Sequence, residues 1–348
     1  MKKKILSTIA CSLVAIFGLS GCSCANDAIL TFNNSVHLGN NPYTYYSEQA
    51  IYQVYSNDEG KTSNVDPKLK VTFNGKYETG FWVYDKLPTD SDYLSLVSEN
   101  QLLSNNDFDF IYVMISKLNV EATYSYEGQE DQTKTDSIET LTLFASSNFS
   151  YAPIYSTTTA NYNILGLLNG ELIFKTINYK NETTYSQKDY KIKHITNIGT
   201  ESESEQSKSY DYTFKSLIDN NQLFFAIRNT TLEDGKTTYI PVVAPQYGEK
   251  NSLKITRENT TTHTINGLIV NGEEINGEDI RLAKISYSNT TSNKTGSPQE
   301  IFVQAEKSSN GKLENRAILY KHHSPIYEHG NNAIIGTLVY ELTEISYR

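Results

Sequence analysis

The chain has 348 residues, of which 38% are hydrophobic and 20% are charged, and its formal net charge at pH 7 is −10. That length suffices for one large domain or for two smaller units that each have a buried core. The acidic balance, in a sequence rich in Tyr, Asn and Thr, argues against binding to nucleic acid or, through basic clusters, to an anionic membrane surface.

The first residues have the composition of an export signal. Three lysines, Lys2 to Lys4, precede a mostly apolar run from Ile5 to Phe17, and small residues follow it. The run is too short and too early for a comfortable membrane span, so it predicts a signal peptide over residues 1–21.

The signal closes with Leu19, Ser20, Gly21 and Cys22, a tetrapeptide that resembles the lipobox of bacterial lipoproteins. The resemblance implies that a signal peptidase recognises the first three residues, that diacylglyceryl is transferred to the Cys22 thiol, and that the mature chain begins there. A plain secretory signal with a cysteine at this position is the alternative. Two or three acyl chains would hold the mature protein on the membrane, since one chain alone anchors only marginally.

This processing uses most of the cysteines. Cys11 leaves with the signal and Cys22 is acylated, so Cys24 alone remains and no intramolecular disulfide can form.

Loss of three lysines also changes the formal charge of the mature chain from −10 to −13. The wealth of Asn, Lys, Ile and Tyr suggests an AT-rich genome. We therefore expect a low-GC Gram-positive bacterium, with the protein on the outer leaflet of its cytoplasmic membrane.

After a polar tether over residues 22–41, strand signals dominate the sequence. Runs of Tyr, Thr, Ile, Val and Phe are bounded by Asn, Asp and Gly, which favours an antiparallel meander over βαβ units. We predict a first β unit over residues 42–178 and a second over 179–348, with a charged, serine-rich loop around 200–209. The predicted strands are 51–55, 69–73, 76–84, 120–126, 139–145, 171–179, 189–195, 252–257, 263–270, 280–287, 300–306, 315–321 and 333–345.

Turns and helices punctuate these strands. Asn-Gly pairs predict tight turns, and the first of them predicts a hairpin directly before residue 76. The pairs lie at 74–75, 169–170, 271–272, 276–277 and 310–311. Two stretches have helical spacing instead. One contains Phe214, Leu217, Ile218, Phe224 and Phe225, with Asp211 as a candidate cap, and the other starts at Pro88-Thr89-Asp90 and carries Tyr93, Leu96 and Val97.

One short pattern occurs twice. Pro153-Ile154-Tyr155 matches Pro325-Ile326-Tyr327, and each is followed by polar residues and then by a segment that begins at a Gly and ends in Glu-Leu. Proline belongs at a sheet edge or strand entry, so we expect an edge, a turn and a strand in both places. Two copies of one β unit would explain the pattern, and chance similarity is the alternative.

The second half has a further order of features. Residues 219–228, which end at Arg228, are followed by a turn, by Tyr239-Ile240-Pro241-Val242-Val243, by further strand signals and by the late Pro325. This order resembles half-barrel envelope proteins, similar to the LolA-like lipoprotein carriers and related exported domains of unknown function. The resemblance covers about 209–345, and 40–175 more faintly. It implies an incomplete barrel wrapped over helices, with a concave apolar face that holds lipid in some relatives. The long stretch 244–280 departs from a minimal half-barrel.

Residues with metal or catalytic chemistry are few. His322, His323 and His329, with Glu328, are the best metal candidate, but adjacent strand residues point to opposite faces and cannot easily share one ion. Solvated strand-end histidines are the preferred interpretation, with a metal site or a pH-responsive patch as alternatives. Ser309 and Lys312 have a Ser-x-x-Lys spacing, yet the Asn-Gly pair between them predicts a turn. We therefore expect no catalytic residue, metal or cofactor.

The predicted class is thus mainly β, with curved antiparallel sheets of half-barrel type, a tandem duplication and one or two short helices. The leading functional hypothesis is a membrane-anchored, non-catalytic carrier of an apolar or amphipathic ligand, which Phe224 and Phe225 would contact in a pocket sized for one acyl chain. The alternative is a structural or interaction protein of the cell envelope with no small-molecule ligand. Trp82 and the tyrosines could stack on sugars or line a lipid groove, although such residues more often pack in the core.

Overall fold

The computed structural model of the protein describes residues 8–9, 45–56, 68–84, 87, 91–98, 110–147, 150–168, 171–186, 189–211, 218–228, 230, 232–244, 249–291, 294–295, 298–327 and 334–348. These residues form a 17-stranded sheet with short helical segments. The strands are β1 (Thr8–Ile9), β2 (Tyr45–Ser56), β3 (Leu69–Tyr84), β4 (Phe110–Tyr126), β5 (Gln132–Ser147), β6 (Ser150–Leu168), β7 (Glu171–Tyr185), β8 (Asp189–Thr196), β9 (Ser204–Asp211), β10 (Ile218–Asp219), β11 (Thr237–Ala244), β12 (Glu249–Val270), β13 (Glu273–Thr291), β14 (Lys294–Thr295), β15 (Gln299–Gln304), β16 (Leu319–Tyr327) and β17 (Ile334–Tyr347). The helices are α1 (Leu94–Ser98), a 3-10 turn (Asn220–Gln222) and α2 (Leu223–Arg228).

Antiparallel pairing links almost every strand to its neighbour. Each strand from β2 to β8 pairs with the next, β2 also pairs with β17, and the run continues through β16, β15, β13, β12 and β11. The side chains alternate as half-buried strands require: Ala50, Tyr52 and Val54 are buried, whereas Gln49 and Gln53 are exposed. The predicted class, mainly β with a curved antiparallel sheet and short helices, is confirmed.

Part of the sheet closes into a ring. Beyond the end of its pairing with β16, β17 runs parallel to β12, with Glu344 opposite Ile269 and Ile345 opposite Val270. Strands β12, β13, β15, β16 and β17 therefore form a closed set. Asn271 fastens the junction, because its backbone N–H donates to the Ile345 carbonyl at 2.9 Å and its side-chain oxygen accepts from the Tyr347 N–H at 2.9 Å.

The rest of the sheet curls towards itself, and among the described residues no ladder joins β11 to β7 or β8. Val243 of β11 packs against Tyr185, Tyr190 and Ile192 of β7 and β8. The inner face formed in this way buries the main hydrophobic core, which includes α2. A smaller apolar cluster lies on the outer face, where α1 covers buried residues of β4, β5 and β6.

The predicted serine-rich loop and the predicted helix cap are both wrong. The serine-rich stretch predicted as a loop around 200–209 is a turn followed by the exposed edge strand β9, because β8 supplies a hydrogen-bonding partner that outweighs its weak strand propensity. Asp211 lies in β9, and the residue that caps the helical segment is Asp219. The Pro88 helix start and Phe214 to Leu217 lie outside the described residues, although α1 itself forms at Leu94–Ser98.

Asn74-Gly75 is not a hairpin turn, because β3 runs straight through it. A Cβ atom on Gly75 would lie 2.2 Å from the Asn119 carbonyl oxygen of β4, so glycine is needed here for the close approach of two strands. Asn271-Gly272 does form a turn, with φ of 50° and 85°. Asn276-Gly277 lies at a register shift inside the β12–β13 ladder instead.

The repeated Pro-Ile-Tyr pattern has two different structures. Residues 319–327 and 334–347 form the two expected strands, and the turn predicted between them lies outside the described residues. Pro153 to Tyr155, however, lies inside the 19-residue strand β6, so the turn predicted after Tyr155 is wrong. The predicted boundary at residue 178 falls within β7. A common origin of the two halves stays a prediction.

Candidate functional site

The predicted ligand-contacting residues Phe224 and Phe225 lie on α2, which sits on the inner face of the sheet. Asp219 sets up this helix from an extended conformation, with its carboxylate accepting a hydrogen bond from the Asn221 N–H at 2.7 Å. The one-sided apolar pattern seen in the sequence thus corresponds to a real helix, one that begins later than the spacing suggested.

Phe225 is part of the core. Its ring centroid lies 5.0 Å from that of Phe81, 5.3 Å from Tyr112 and Phe144, and 5.5 Å from Tyr151. These separations are those of favourable aromatic pairs, and Phe225 is only 2% exposed. Four aromatic residues from β3, β4, β5 and β6 therefore enclose the helix residue.

Phe224 is half-buried beside it and faces a different set of side chains. Its ring lies 4.7 Å from that of His322 and 6.4 Å from that of Tyr287. The cavity that touches both phenylalanines has a volume of about 20 Å³. A space of that size holds about one water molecule. An acyl chain does not fit there while α2 keeps this position.

Arg228 ends α2 with a buried ion pair. Its two terminal nitrogens donate to the two carboxylate oxygens of Glu48 at 2.7 and 2.8 Å, and its Nε donates to the Ala317 carbonyl at 2.7 Å. The side chains are only 6% and 2% exposed. The planar guanidinium suits this two-point contact. The pair ties α2 to β2, a strand 180 residues away in the chain.

Asp219 joins the other end of this helical segment to β6 and β7. Its carboxylate accepts hydrogen bonds from the hydroxyls of Ser156, at 2.5 Å, and Tyr185. Burial raises the pKa of Asp219 above its usual value, and these hydrogen bonds oppose that shift. Asp219 is fully buried, so its hydrogen bonds with Ser156 and Tyr185 stabilise the fold and offer no open surface to a substrate.

His322 is buried rather than solvated, which corrects the preferred interpretation of the histidines. Its Nε2 lies 3.0 Å from the Gln299 side-chain oxygen and 3.1 Å from the Tyr287 hydroxyl, and its ring stacks on Tyr340. Burial lowers the pKa of His322 to about 3. His323 points to the opposite face, with its Nδ1 3.6 Å from a Glu300 oxygen.

The remaining candidates are distributed as follows. Leu19, Ser20, Gly21, Cys22, Glu328 and His329 lie outside the described residues. Ser309 and Asn310 form the predicted turn. In the described part of the chain, no three His, Cys, Asp or Glu side chains are grouped to hold a metal ion, and no helix is long and apolar enough to cross a membrane.

Sequence reasoning missed the partners that hold α2. A buried charged side chain requires a partner of opposite charge. The position of Arg228 at the end of an apolar helix therefore indicated that such a partner exists. Nothing in the spacing pointed to Glu48, because the two residues meet only when the sheet curls.

Comparison with known proteins gives a likeness in structure and none in sequence. No protein-family model matches the chain, and no curated protein matches it. A crystal structure of a beta-barrel-like protein of the domain of unknown function DUF1849 from Brucella abortus is 8% identical, covering 87% of this chain and 98% of that chain, with a TM-score of 0.45. Similarity at that level assigns neither family nor activity. By its own contacts, the chain is a barrel-like antiparallel β protein whose inner face holds a short helix.

Proposed function

We propose that this chain is a lipid-anchored, extracytoplasmic protein that acts without catalysis, as a structural or interaction protein of the bacterial cell envelope. The observation that carries the proposal is the small space that α2 leaves on the inner face of the described residues, about 20 Å³ beside Phe224 and Phe225. A carrier of acyl chains needs a cavity of several hundred cubic ångströms, since ligand pockets measure roughly 300–1,000 Å³.

The way in which α2 is held also favours this reading. Opening the inner face would separate Arg228 from Glu48 and Asp219 from Ser156, and would expose Phe225. Breaking a buried ion pair alone costs about 3–5 kcal/mol. Reversible loading of a ligand at this place would therefore need a large compensating gain in binding energy.

The anchor is supported by the sequence pattern that ends at Cys22. We expect Cys22→Ala to abolish incorporation of labelled fatty acid and to leave an uncleaved precursor or a released protein. Partition of the two chains between detergent and water measures this. If the variant is processed and enters the detergent phase as the wild type does, the lipoprotein assignment is wrong.

Binding of an apolar fluorophore separates the interaction protein from the carrier. The chain from residue 26 onward, which includes every strand from β2 to β17, should show no saturable binding and no bound lipid in native mass spectrometry. A one-to-one lipid adduct that Phe225→Asp weakens, in a variant with unchanged circular dichroism, would establish the carrier instead. Exposed Ile173→Asp serves as the matched control.

A further inference from the structure

We propose that the outer face of the sheet carries a binding site for a neutral oligosaccharide, centred on Trp82. The inference deepens the proposed function, on which it rests for an extracytoplasmic location, by naming the class of envelope molecule that this surface recognises. It depends on the outer face of the sheet, whereas α2 lies on the inner face.

Strand register places the site. Ser346 of β17, Gln49 of β2, Gly80 of β3 and Ile115 of β4 lie directly opposite one another across four neighbouring strands. They belong to the outward-facing set, because their neighbours Glu48, Phe81 and Met114 point into the core. The row therefore crosses the outer face with two polar side chains, a gap at the glycine and an exposed isoleucine.

The gap at Gly80 positions the indole. A Cβ atom built on Gly80 would lie 2.9 Å from Cη2 of Trp82 and 3.3 Å from its Cζ3. The six-membered ring of Trp82 thus lies over Gly80, where any other residue would displace it. Trp82 also contacts the apolar cluster under α1, so the ring is supported from two sides.

Two adjoining depressions flank the ring. One has a volume of about 470 Å³ and the other about 300 Å³, and both are lined by Trp82, Gln49 and Ser346. These volumes lie within the range of ligand sites. The first depression extends towards Asn271 and Arg348, and the second towards Ile115 and Ile51. A ligand that occupied both would be elongated.

Polar groups in the groove are available to a ligand. Within the described part of the chain, no hydrogen bond engages the Trp82 indole N–H, the Gln49 carboxamide or the Ser346 hydroxyl. Of the charged groups that line it, Lys117 lies 2.6 Å from Glu139 and Glu78 lies 2.6 Å from Lys76, and Glu344 and Arg348 carry opposite charges. The site therefore offers donors and acceptors without a dominant charge.

This combination matches the chemistry of a pyranose chain. A sugar ring presents an apolar C–H face to an aromatic ring and hydroxyl groups at its edge, which amide and hydroxyl side chains can bind. An acyl chain would leave the Gln49 and Ser346 polar groups without partners, and a polyanion would meet the carboxylates of Glu78 and Glu344 beside the cations. An oligomer of two or more sugar units suits two depressions that share one aromatic ring.

The single tryptophan of the chain allows a direct test. The full-length, lipidated protein in detergent is titrated with maltohexaose and with N,N′,N″,N‴-tetraacetylchitotetraose while the Trp82 emission is recorded, and calorimetry repeats the titrations. We expect a saturable change in emission with at least one of the two sugars, at millimolar or lower concentration.

Variants locate the binding. Gln49→Ala and Ile115→Ala should each weaken it about three- to tenfold, as loss of one hydrogen bond or one small apolar contact does. Gly80→Ala should displace the indole, shift the emission before any sugar is added and weaken binding more than tenfold. Ile173→Ala, an exposed isoleucine on β7 outside the groove, should leave binding within twofold of the wild type.

The remaining outcomes overturn the proposal. If neither sugar changes the emission or releases heat, the groove is not a glycan site. If sugar binds equally well to the Gly80→Ala and Gln49→Ala variants, binding occurs elsewhere and the assignment is wrong. Both results leave the proposed function standing, because fatty-acid labelling of Cys22 and fluorophore binding test it independently.

Discussion

Arg228 shows how one residue can hold two distant parts of this fold together. Its guanidinium spans Glu48 of β2 and the carbonyl groups of Arg316 and Ala317 before β16. Desolvation opposes such a pair, so its net contribution is smaller than its geometry suggests. Removal of one partner is different, because the other charge then stays buried without compensation.

We therefore predict that Arg228→Met lowers the free energy of unfolding by about 3–5 kcal/mol. The matched control is Arg281→Met, whose exposed pair with Glu306 should contribute about 0–1 kcal/mol. Urea denaturation of the three proteins measures the difference. Equal losses in both variants would contradict a special role for the buried pair. Adding Glu48→Gln to Arg228→Met should restore part of the loss.

His322 makes stability depend on pH. In the unfolded chain its pKa is near 6.5, whereas burial lowers it to about 3 in the folded protein. Between these values the unfolded state binds the proton and the folded state does not, so the stability contributed above pH 6.5 is lost progressively as pH falls towards 3.

His322→Gln should remove this dependence. Between pH 7 and pH 4, the wild type should lose about 3 kcal/mol more stability than the variant. Denaturation midpoints at a series of pH values give the comparison, and His263→Gln, at an exposed position of β12, is the control. Parallel pH profiles for wild type and His322→Gln would show that the buried ring does not titrate in this way.

At the level of single strands, the pairing of β3 with β4 requires a glycine, Gly75, that does not lie in a turn. The Asn119 carbonyl of β4 passes so close to Gly75 that a Cβ atom would lie 2.2 Å from it. Gly166 of β6 is a natural comparison, since its nearest atom would be 3.6 Å away, an ordinary contact.

Gly75→Ala should lower the free energy of unfolding by about 1–3 kcal/mol, because two long strands must move apart. Gly166→Ala should change the free energy of unfolding by no more than about 0.5 kcal/mol. The added Cβ atom makes only ordinary contacts there, and the entropy that alanine removes from the unfolded chain is small. Thermal and urea unfolding measure both variants. A larger loss at Gly166 than at Gly75 would contradict the account of close strand approach.

In the molecule as a whole, two different kinds of contact close the sheet. Backbone pairing joins β17 to β12, whereas side chains join β10 and β11 to β6, β7 and β8. Asp219 is the polar part of the second closure. A side-chain closure opens at lower cost than a ladder, so β7 to β9 should be the first part of the sheet to exchange its amide hydrogens.

Asp219→Ala should accelerate amide exchange in β7, β8 and β9 while leaving the ring of β12, β13, β15, β16 and β17 protected. The expected overall loss is about 1–3 kcal/mol, because the Ser156 and Tyr185 hydroxyls lose a buried partner. Hydrogen-exchange mass spectrometry resolves the two regions. Asp279→Ala, which removes an exposed acceptor 2.7 Å from Thr264, is the control, and uniform acceleration everywhere would contradict separate closures.

Local sequence patterns are enough to predict the mainly β class, most strand positions and the helix that carries Phe224 and Phe225. These follow from period-two patterns, turn residues and a run of helical spacing, all of which act over a few neighbouring residues. The same local rules failed at Asn74-Gly75 and at β9. There, a neighbouring strand decided the conformation by its approach or by its hydrogen bonds.

The contacts on the inner face and the groups exposed on the outer face depend on how distant strands pair and pack. Glu48 meets Arg228, and Asp219 meets Tyr185, because a curled sheet brings together residues far apart in the chain. The row from Ser346 to Ile115 exists only through register across four strands, which a sequence pattern does not encode. Periodicity fixes which face a residue takes, and pairing across the sheet fixes which neighbours it has on that face.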